Sequence, residues 1–151
     1  MKLKYGIAIV LLTLMGAGCA SAPTSSGGPT LDLSNNMLTS VPPPVFQRTE
    51  LQELNLSGNR LTGALPSQIG NLKNLVVLNA SNNQMTGVPA EIGQLSRLQQ
   101  LDLSYNQLTG LPNELGNLTQ LRRLDLRGNK VSKLDLDGIR AKLTKTQILV
   151  D

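Results

Sequence analysis

Apolar positions in this chain fall into a frame that returns every 23 or 24 residues. Leu51, Leu54, Leu56 and Leu61 are followed in step by Leu75, Leu78, Ala80 and Met85. The next two sets are Leu98, Leu101, Leu103, Leu108 and Leu121, Leu124, Leu126, Val131, and a shorter version, Leu31, Leu33 and Leu38, comes first. One polar residue keeps the same phase, as Asn36, Asn59, Asn83, Asn106 and Asn129. A period in this range predicts a solenoid, because each unit is too small to bury its own apolar face and is stable only when stacked on its neighbours.

Within a unit, the alternation Leu54-x-Leu56 predicts a short strand with both leucines inward and Glu53, Asn55 and Ser57 outward. The chain then turns, and backbone groups facing the interior lose their ladder partners. An asparagine amide offers two donors and an acceptor, so a column of them predicts bridges between adjacent turns; all five belong to the scaffold. The return leg also repeats, as Leu65-Pro66 to Leu72, Val88-Pro89 to Leu95 and Leu111-Pro112 to Leu118. Proline opens each leg and Gly70, Gly93 or Gly116 closes it, which predicts a single helical or 3-10 turn.

The frame L-x-x-L-x-L-x-x-N-x-L resembles that of the leucine-rich repeat family from about Gly28 onward. The resemblance implies an α/β solenoid: a short leucine-rich repeat arc of about five 23–24-residue repeats with a parallel concave sheet and short helical or 3-10 convex turns. It also implies that partners bind the concave face. The second unit is one residue longer, and its Leu61-Thr62-Gly63-Ala64-Leu65-Pro66 is similar to the plant-type variant of the repeat. A single such unit predicts a local bulge.

The first nineteen residues lie outside the repeat. Lys2 and Lys4 precede an apolar run from Gly6 to Met15, and Gly16-Ala17-Gly18 leads into Cys19. This layout predicts an export signal, since the run is shorter than the roughly 20 residues of a spanning helix. Ala17-Gly18-Cys19 resembles the lipobox of bacterial lipoproteins, although Gly16 stands where that family prefers Leu. The resemblance implies that Cys19 becomes the first mature residue, carrying a diacylglyceryl thioether and an amide-linked, palmitate-type acyl chain that anchor it to a membrane. Ala20 in place of Asp after the Cys resembles proteins sorted to an outer membrane. Ala20-Ser21-Ala22 also fits ordinary cleavage after Ala22, which releases a soluble secreted protein; an uncleaved anchor is a third possibility. Ser21 to Pro29 is rich in Ser, Gly and Pro and suits a flexible tether.

At the other end the frame dissolves after Leu134. Asp135 to Leu143 suits a short polar-faced helix, and Gln147-Ile148-Leu149-Val150 suits a closing strand. The N-terminal side offers no comparable cap, so the strand near Thr30 to Ser34 is expected to be an open edge, with Phe46 plugging the core behind it. The chain thus divides into 1–18 (signal peptide), 19–29 (lipidated Cys and linker), 30–134 (repeats) and 135–151 (C-terminal cap).

Period two along the strands defines three outward columns. They are Asp32, Asn55, Asn79, Asp102, Asp125; Ser34, Ser57, Ser81, Ser104, Arg127; and Thr30, Glu53, Val77, Gln100, Arg123. Candidate partner-binding residues are Glu53, Asn55, Val77, Asn79, Asp102, Tyr105, Arg123, Asp125 and Arg127. Tyr105 is the one aromatic on this side, and tyrosine is a favoured interface anchor. Arg123 and Arg127 flank Asp125, next to Asp102 on the neighbouring strand, so charge compensation is their plainer role.

Composition narrows the chemistry. The chain has no His and one Cys, Cys19, which leaves no nucleophile–base pair or metal-ligand set. No enzyme activity and no cofactor are expected. From Leu121 onward eight bases face four acids, so the C-terminal end suits an anionic envelope polymer. Nucleic acid is not expected as a partner of an exported chain without interleaved aromatics. The expected function is a non-enzymatic, envelope-tethered interaction module for a protein partner; the alternative is a structural envelope spacer without a discrete ligand.

Overall fold

The computed structural model describes residues 29–151. The signal segment, Cys19 and the linker up to residue 28 lie outside the described residues.

In chain order the strands are β1 (Thr30–Asp32), β2 (Glu53–Asn55), β3 (Thr62–Ala64), β4 (Val77–Asn79), β5 (Gln84–Gly87), β6 (Gln100–Asp102), β7 (Arg123–Asp125) and β8 (Gln147–Leu149). Six of them form one parallel sheet in the order β1-β2-β4-β6-β7-β8. Each residue pairs with its counterpart one repeat on: Leu31 with Leu54, Leu54 with Leu78, Leu78 with Leu101, Leu101 with Leu124, and Leu124 with Ile148. The fold is therefore a repeat solenoid with a parallel sheet and short 3-10 turns. β8 adds a sixth rung without an asparagine of its own.

The core is a stack of leucine layers. Leu54, Leu78, Leu101 and Leu124 are buried, as are Leu56, Ala80, Leu103 and Leu126 two residues on. The first layer is less covered: Leu31, Leu33 and Leu38 are only partly buried, because no turn precedes them among the described residues. Phe46 lies in the core at this end, 5% exposed.

The asparagines bridge successive turns. Asn59 Oδ1 accepts from Asn36 N (2.9 Å) and Leu38 N (3.0 Å), while its Nδ2 donates to Leu33 O and Leu56 O, both at 2.8 Å. Asn83, Asn106 and Asn129 do the same for Leu61 N, Met85 N and Leu108 N, each at 3.0 Å. Asn36 differs, being exposed, with Nδ2 donating to Ser34 O (2.9 Å).

Among the described residues four 3-10 turns line the convex side: η1 (Pro43–Gln47), η2 (Ser67–Asn71), η3 (Ala90–Gln94) and η4 (Asn113–Asn117). Pro66, Pro89 and Pro112 precede the last three in extended conformation. The glycines do not close these turns, contrary to the sequence expectation. Gly93 lies inside η3 without positive φ, and a Cβ there would sit 2.8 Å from Glu114 Cβ. Its small size lets η3 and η4 stack closely; the turns end instead at Leu72, Leu95 and Leu118.

The longer second unit builds β3, which pairs with β5 in a separate two-stranded sheet. The bulge is there: Gly63 pairs with Met85 but Ala64 with Gly87. At the C-terminal end, α1 (Lys133–Lys142) packs against η4. Leu134 is not the last core residue of the frame, since it is 82% exposed. The chain has already become helical there, and Leu136, Ile139 and Leu143 turn inward at helical spacing instead.

Candidate functional site: the concave face

Strand geometry puts the three columns on the solvent side of the sheet, but they do not share one environment. Asn55 Oδ1 accepts from Ser57 N (3.1 Å) and Ser57 Oγ (2.7 Å). Asn79 holds Ser81 in the same way (3.0 and 2.8 Å), and Asp102 holds Ser104 (2.9 and 2.6 Å). Ser81 and Ser104 are buried by this arrangement. These side chains thus satisfy the backbone where it leaves the strand, a local bonding pattern open to Asp, Asn and Ser.

The fifth rung changes the chemistry. Arg127 replaces the serine, donating to Asp125 from its backbone N (3.3 Å), Nε (2.9 Å) and Nη2 (2.6 Å). Arg123 Nη2 adds a second ion pair at 3.1 Å. Asp125, expected at the partner face, is withdrawn from it: its side chain is 1% exposed, beneath two guanidiniums that are 47% and 44% exposed. The Arg127 hydrogen bonds hold the Asp125 carboxyl below the usual carboxylate range, against the opposing effect of burial. Asp125 in turn raises Arg127. Asp102 lies directly across from Asp125 in the next strand, so without the arginines two carboxylates would face each other.

Between these rungs the face is dished. A depression of about 260 Å³ is lined by Val77, Leu78, Asn79, Gln100, Leu101, Asp102 and Arg123. Val77 gives it an apolar wall and Arg123 a charged rim. Glu53 pairs with Val77 one strand away, toward the N-terminal end.

The leucine-rich repeat region family matches residues 30–147. The chain belongs to the leucine-rich repeat family. Among solved structures it is similar to a leucine-rich repeat protein of Leptospira interrogans, 47% identical, TM-score 0.75, over 79% of this chain and 30% of that one. It is also similar to the leucine-rich repeat ectodomain of the Arabidopsis thaliana receptor kinase SOBIR1 (32% identical, TM-score 0.64, 80% and 67% covered). A third is the ectodomain of the Arabidopsis receptor kinase GASSHO1/SCHENGEN3, solved in complex with CASPARIAN STRIP INTEGRITY FACTOR 2 (32% identical, TM-score 0.68, 78% and 14% covered). The chain thus spans less than a third of the Leptospira protein. No curated protein sequence matches it.

In this leucine-rich repeat protein Tyr105 occupies a position whose demands the sequence frame does not advertise. The residue before each ladder asparagine is left-handed: Asn35 (φ 55°), Gly58 (66°), Asn82 (54°), Tyr105 (53°) and Gly128 (70°). Glycine and asparagine tolerate that conformation; a tyrosine there is strained. Tyr105 is held by its N–H to Arg127 O (2.7 Å) and by Asn83 N donating to its carbonyl (3.2 Å). The ring packs over Gly128, where a Cβ would lie 2.6 Å from Tyr105 Cδ1, and the residue is 56% exposed.

Val77, Asn79, Asp102 and Arg123 therefore meet at one depression, while Arg127 joins Arg123 over Asp125. Asn55, Asn79 and Asp102 are committed to their serines. Gln100 and Leu101 complete the depression and were not singled out from the sequence, although Gln100 stood in the same column as Val77. Among the described residues no cluster of His, Cys, Asp or Glu is suited to hold a metal ion, and no helix is long and apolar enough to cross a membrane.

Proposed function

We propose that this protein is a non-enzymatic interaction module, displayed from a bacterial envelope, that binds a protein partner through its concave face. Tyr105, Arg123 and Arg127 form the contact centre, beside the depression walled by Val77. The observation that carries this reading is Tyr105: a large, 56% exposed aromatic kept in a left-handed conformation that the equivalent positions give to Asn or Gly. Strain that the fold does not need is a pointer to function. The complex of the GASSHO1/SCHENGEN3 ectodomain with CASPARIAN STRIP INTEGRITY FACTOR 2 supports a partner-binding role for a leucine-rich repeat domain.

The sheet sets the scale. Six strands about 4.8 Å apart span about 24 Å, and three residues per strand at about 3.3 Å make the face about 10 Å deep; the resulting area of about 240 Å² is less than the roughly 800 Å² per partner of a standard interface, so the partner engages flanking turns as well. Cys19 supplies the tether: its acyl chains hold the solenoid at a membrane, the outer membrane where the host has one, with residues 20–29 as spacer.

The test is recovery of envelope proteins by the wild type and by a Tyr105→Ala, Arg123→Ala, Arg127→Ala variant. A discrete partner recovered by the wild type alone supports the reading; equal recovery removes the concave face from it. Mass spectrometry of the mature N-terminus tests the tether, and an unmodified chain beginning at Pro23 contradicts it.

A further inference from the structure

The second ordered charge pattern lies on the edge of the solenoid where the convex turns feed into the strands. Five links make this edge: 48–52 before β2, 72–76 before β4, 95–99 before β6, 118–122 before β7 and 143–146 before β8. Each link carries one base, in order Arg48, Lys73, Arg97, Arg122 and Lys145, and only one carries an acid, Glu50. Counted back from the first residue of the next strand, they stand five, four, three, one and two residues before it, so the row runs obliquely across rungs about 4.8 Å apart and spans about 19 Å along the stack.

Two of the bases are held by neutral side chains rather than by carboxylates. Lys73 Nζ donates to Gln94 Oε1 (2.7 Å) and Arg97 Nη1 to Asn74 Oδ1 (3.0 Å). Asn74 Nδ2 donates on to Thr49 O (3.0 Å), which ties three successive links together. Arg48 is the exception, paired with Glu50 at 3.2 Å. At the far end of the row a depression of about 210 Å³ is lined by Thr119, Lys142, Leu143, Thr144, Lys145 and Thr146, with no carboxylate.

We propose that this edge is a docking ridge for a linear polyanion lying across the rungs, its charges meeting one base per turn and one anionic group entering the Lys142–Lys145 depression. A single file of bases, one per rung and set obliquely across the edge, fits a chain better than a plane, and no aromatic lies in it to stack bases. The ridge is separate from the concave face and stands without the reading given above for that face.

The experiment is titration of the mature chain with long-chain inorganic polyphosphate at several salt concentrations. Three proteins are compared: wild type, Arg97→Gln/Arg122→Gln on the ridge, and Arg60→Gln/Lys130→Gln on the opposite edge, which loses the same charge. The ridge variant binds at least tenfold more weakly. Its log–log salt dependence is shallower by about 1.5, at about 0.7–0.9 per lost contact. The opposite-edge variant stays within twofold of wild type, and orthophosphate does not compete at equal phosphate concentration. Equal losses in both variants, or competition by orthophosphate, would overturn the ridge. So would binding to phosphatidylglycerol vesicles with none to polyphosphate, which would make the edge a membrane-facing surface.

Discussion

Replacing Asn83 with alanine separates the two kinds of asparagine in this fold. Asn83 is 8% exposed; its Oδ1 accepts from Leu61 N (3.0 Å), and its Nδ2 donates to Leu56 O (3.0 Å), Ala80 O (3.2 Å) and Ser81 O (3.1 Å). After truncation the carbonyls keep other donors: Asn59 Nδ2 for Leu56, Asn106 Nδ2 for Ala80 and Gly58 N for Ser81. The Leu61 N–H loses its acceptor in a buried site. One orphaned buried group costs about 1–3 kcal/mol, and the lost bonds to the carbonyls bring the total to about 3 kcal/mol. Asn36→Ala removes one exposed bond to Ser34 O and costs less than about 0.5 kcal/mol. Urea unfolding of both variants, followed by far-UV circular dichroism, reads the difference directly. Equal midpoints, or a cost below about 1 kcal/mol at Asn83, would refute the bridging role.

The other outcomes follow from the fifth rung and its neighbour. Tyr105→Asn adopts the residue found at Asn35 and Asn82 and relieves left-handed strain, so the fold is unchanged or up to about 1 kcal/mol more stable; a loss above about 0.5 kcal/mol would show that ring packing outweighs strain. Gly128→Ala adds a Cβ at φ 70° against the Tyr105 ring and destabilises by at least about 1 kcal/mol in thermal melts, a cost reduced in the Tyr105→Asn background. Because the folded carboxyl of Asp125 titrates below its unfolded value of about 3.9, its stabilising contribution is full above that pH and is lost as pH falls through the lower folded value. Urea midpoints at pH 5 and pH 2.5 therefore fall less for Asp125→Asn than for wild type; identical falls would remove Asp125 from the acid response.

The repeat was legible because one physical constraint, burial of a leucine layer per turn, acts on every unit and so stamps a period on the sequence. The ends were harder to place because that constraint lapses there. Leu134 kept the frame's spacing while the backbone had already become helical, and side-chain direction follows the helix. Gly93 looked like a stop signal, yet it answers to a neighbouring turn 21 residues on, at Glu114, which no local pattern announces. The concave site was half visible. Period two identified Val77 and Arg123, but not that Asn55, Asn79 and Asp102 bind their own serines, nor that Asp125 sinks beneath its arginines. The left-handed column could have been found from Asn35, Gly58, Asn82 and Gly128 alone, since asparagine and glycine share little except tolerance of that conformation.

Partner binding at the concave face is tested most directly by a photo-crosslinking amino acid placed at Gln100, inside the depression, and separately at Gln68 on the convex η2, in cells displaying the protein. A discrete adduct from Gln100 that disappears in the Tyr105→Ala, Arg123→Ala, Arg127→Ala background, with none from Gln68, is the expected result. An adduct from Gln68 alone, or from neither position, would contradict a concave binding site.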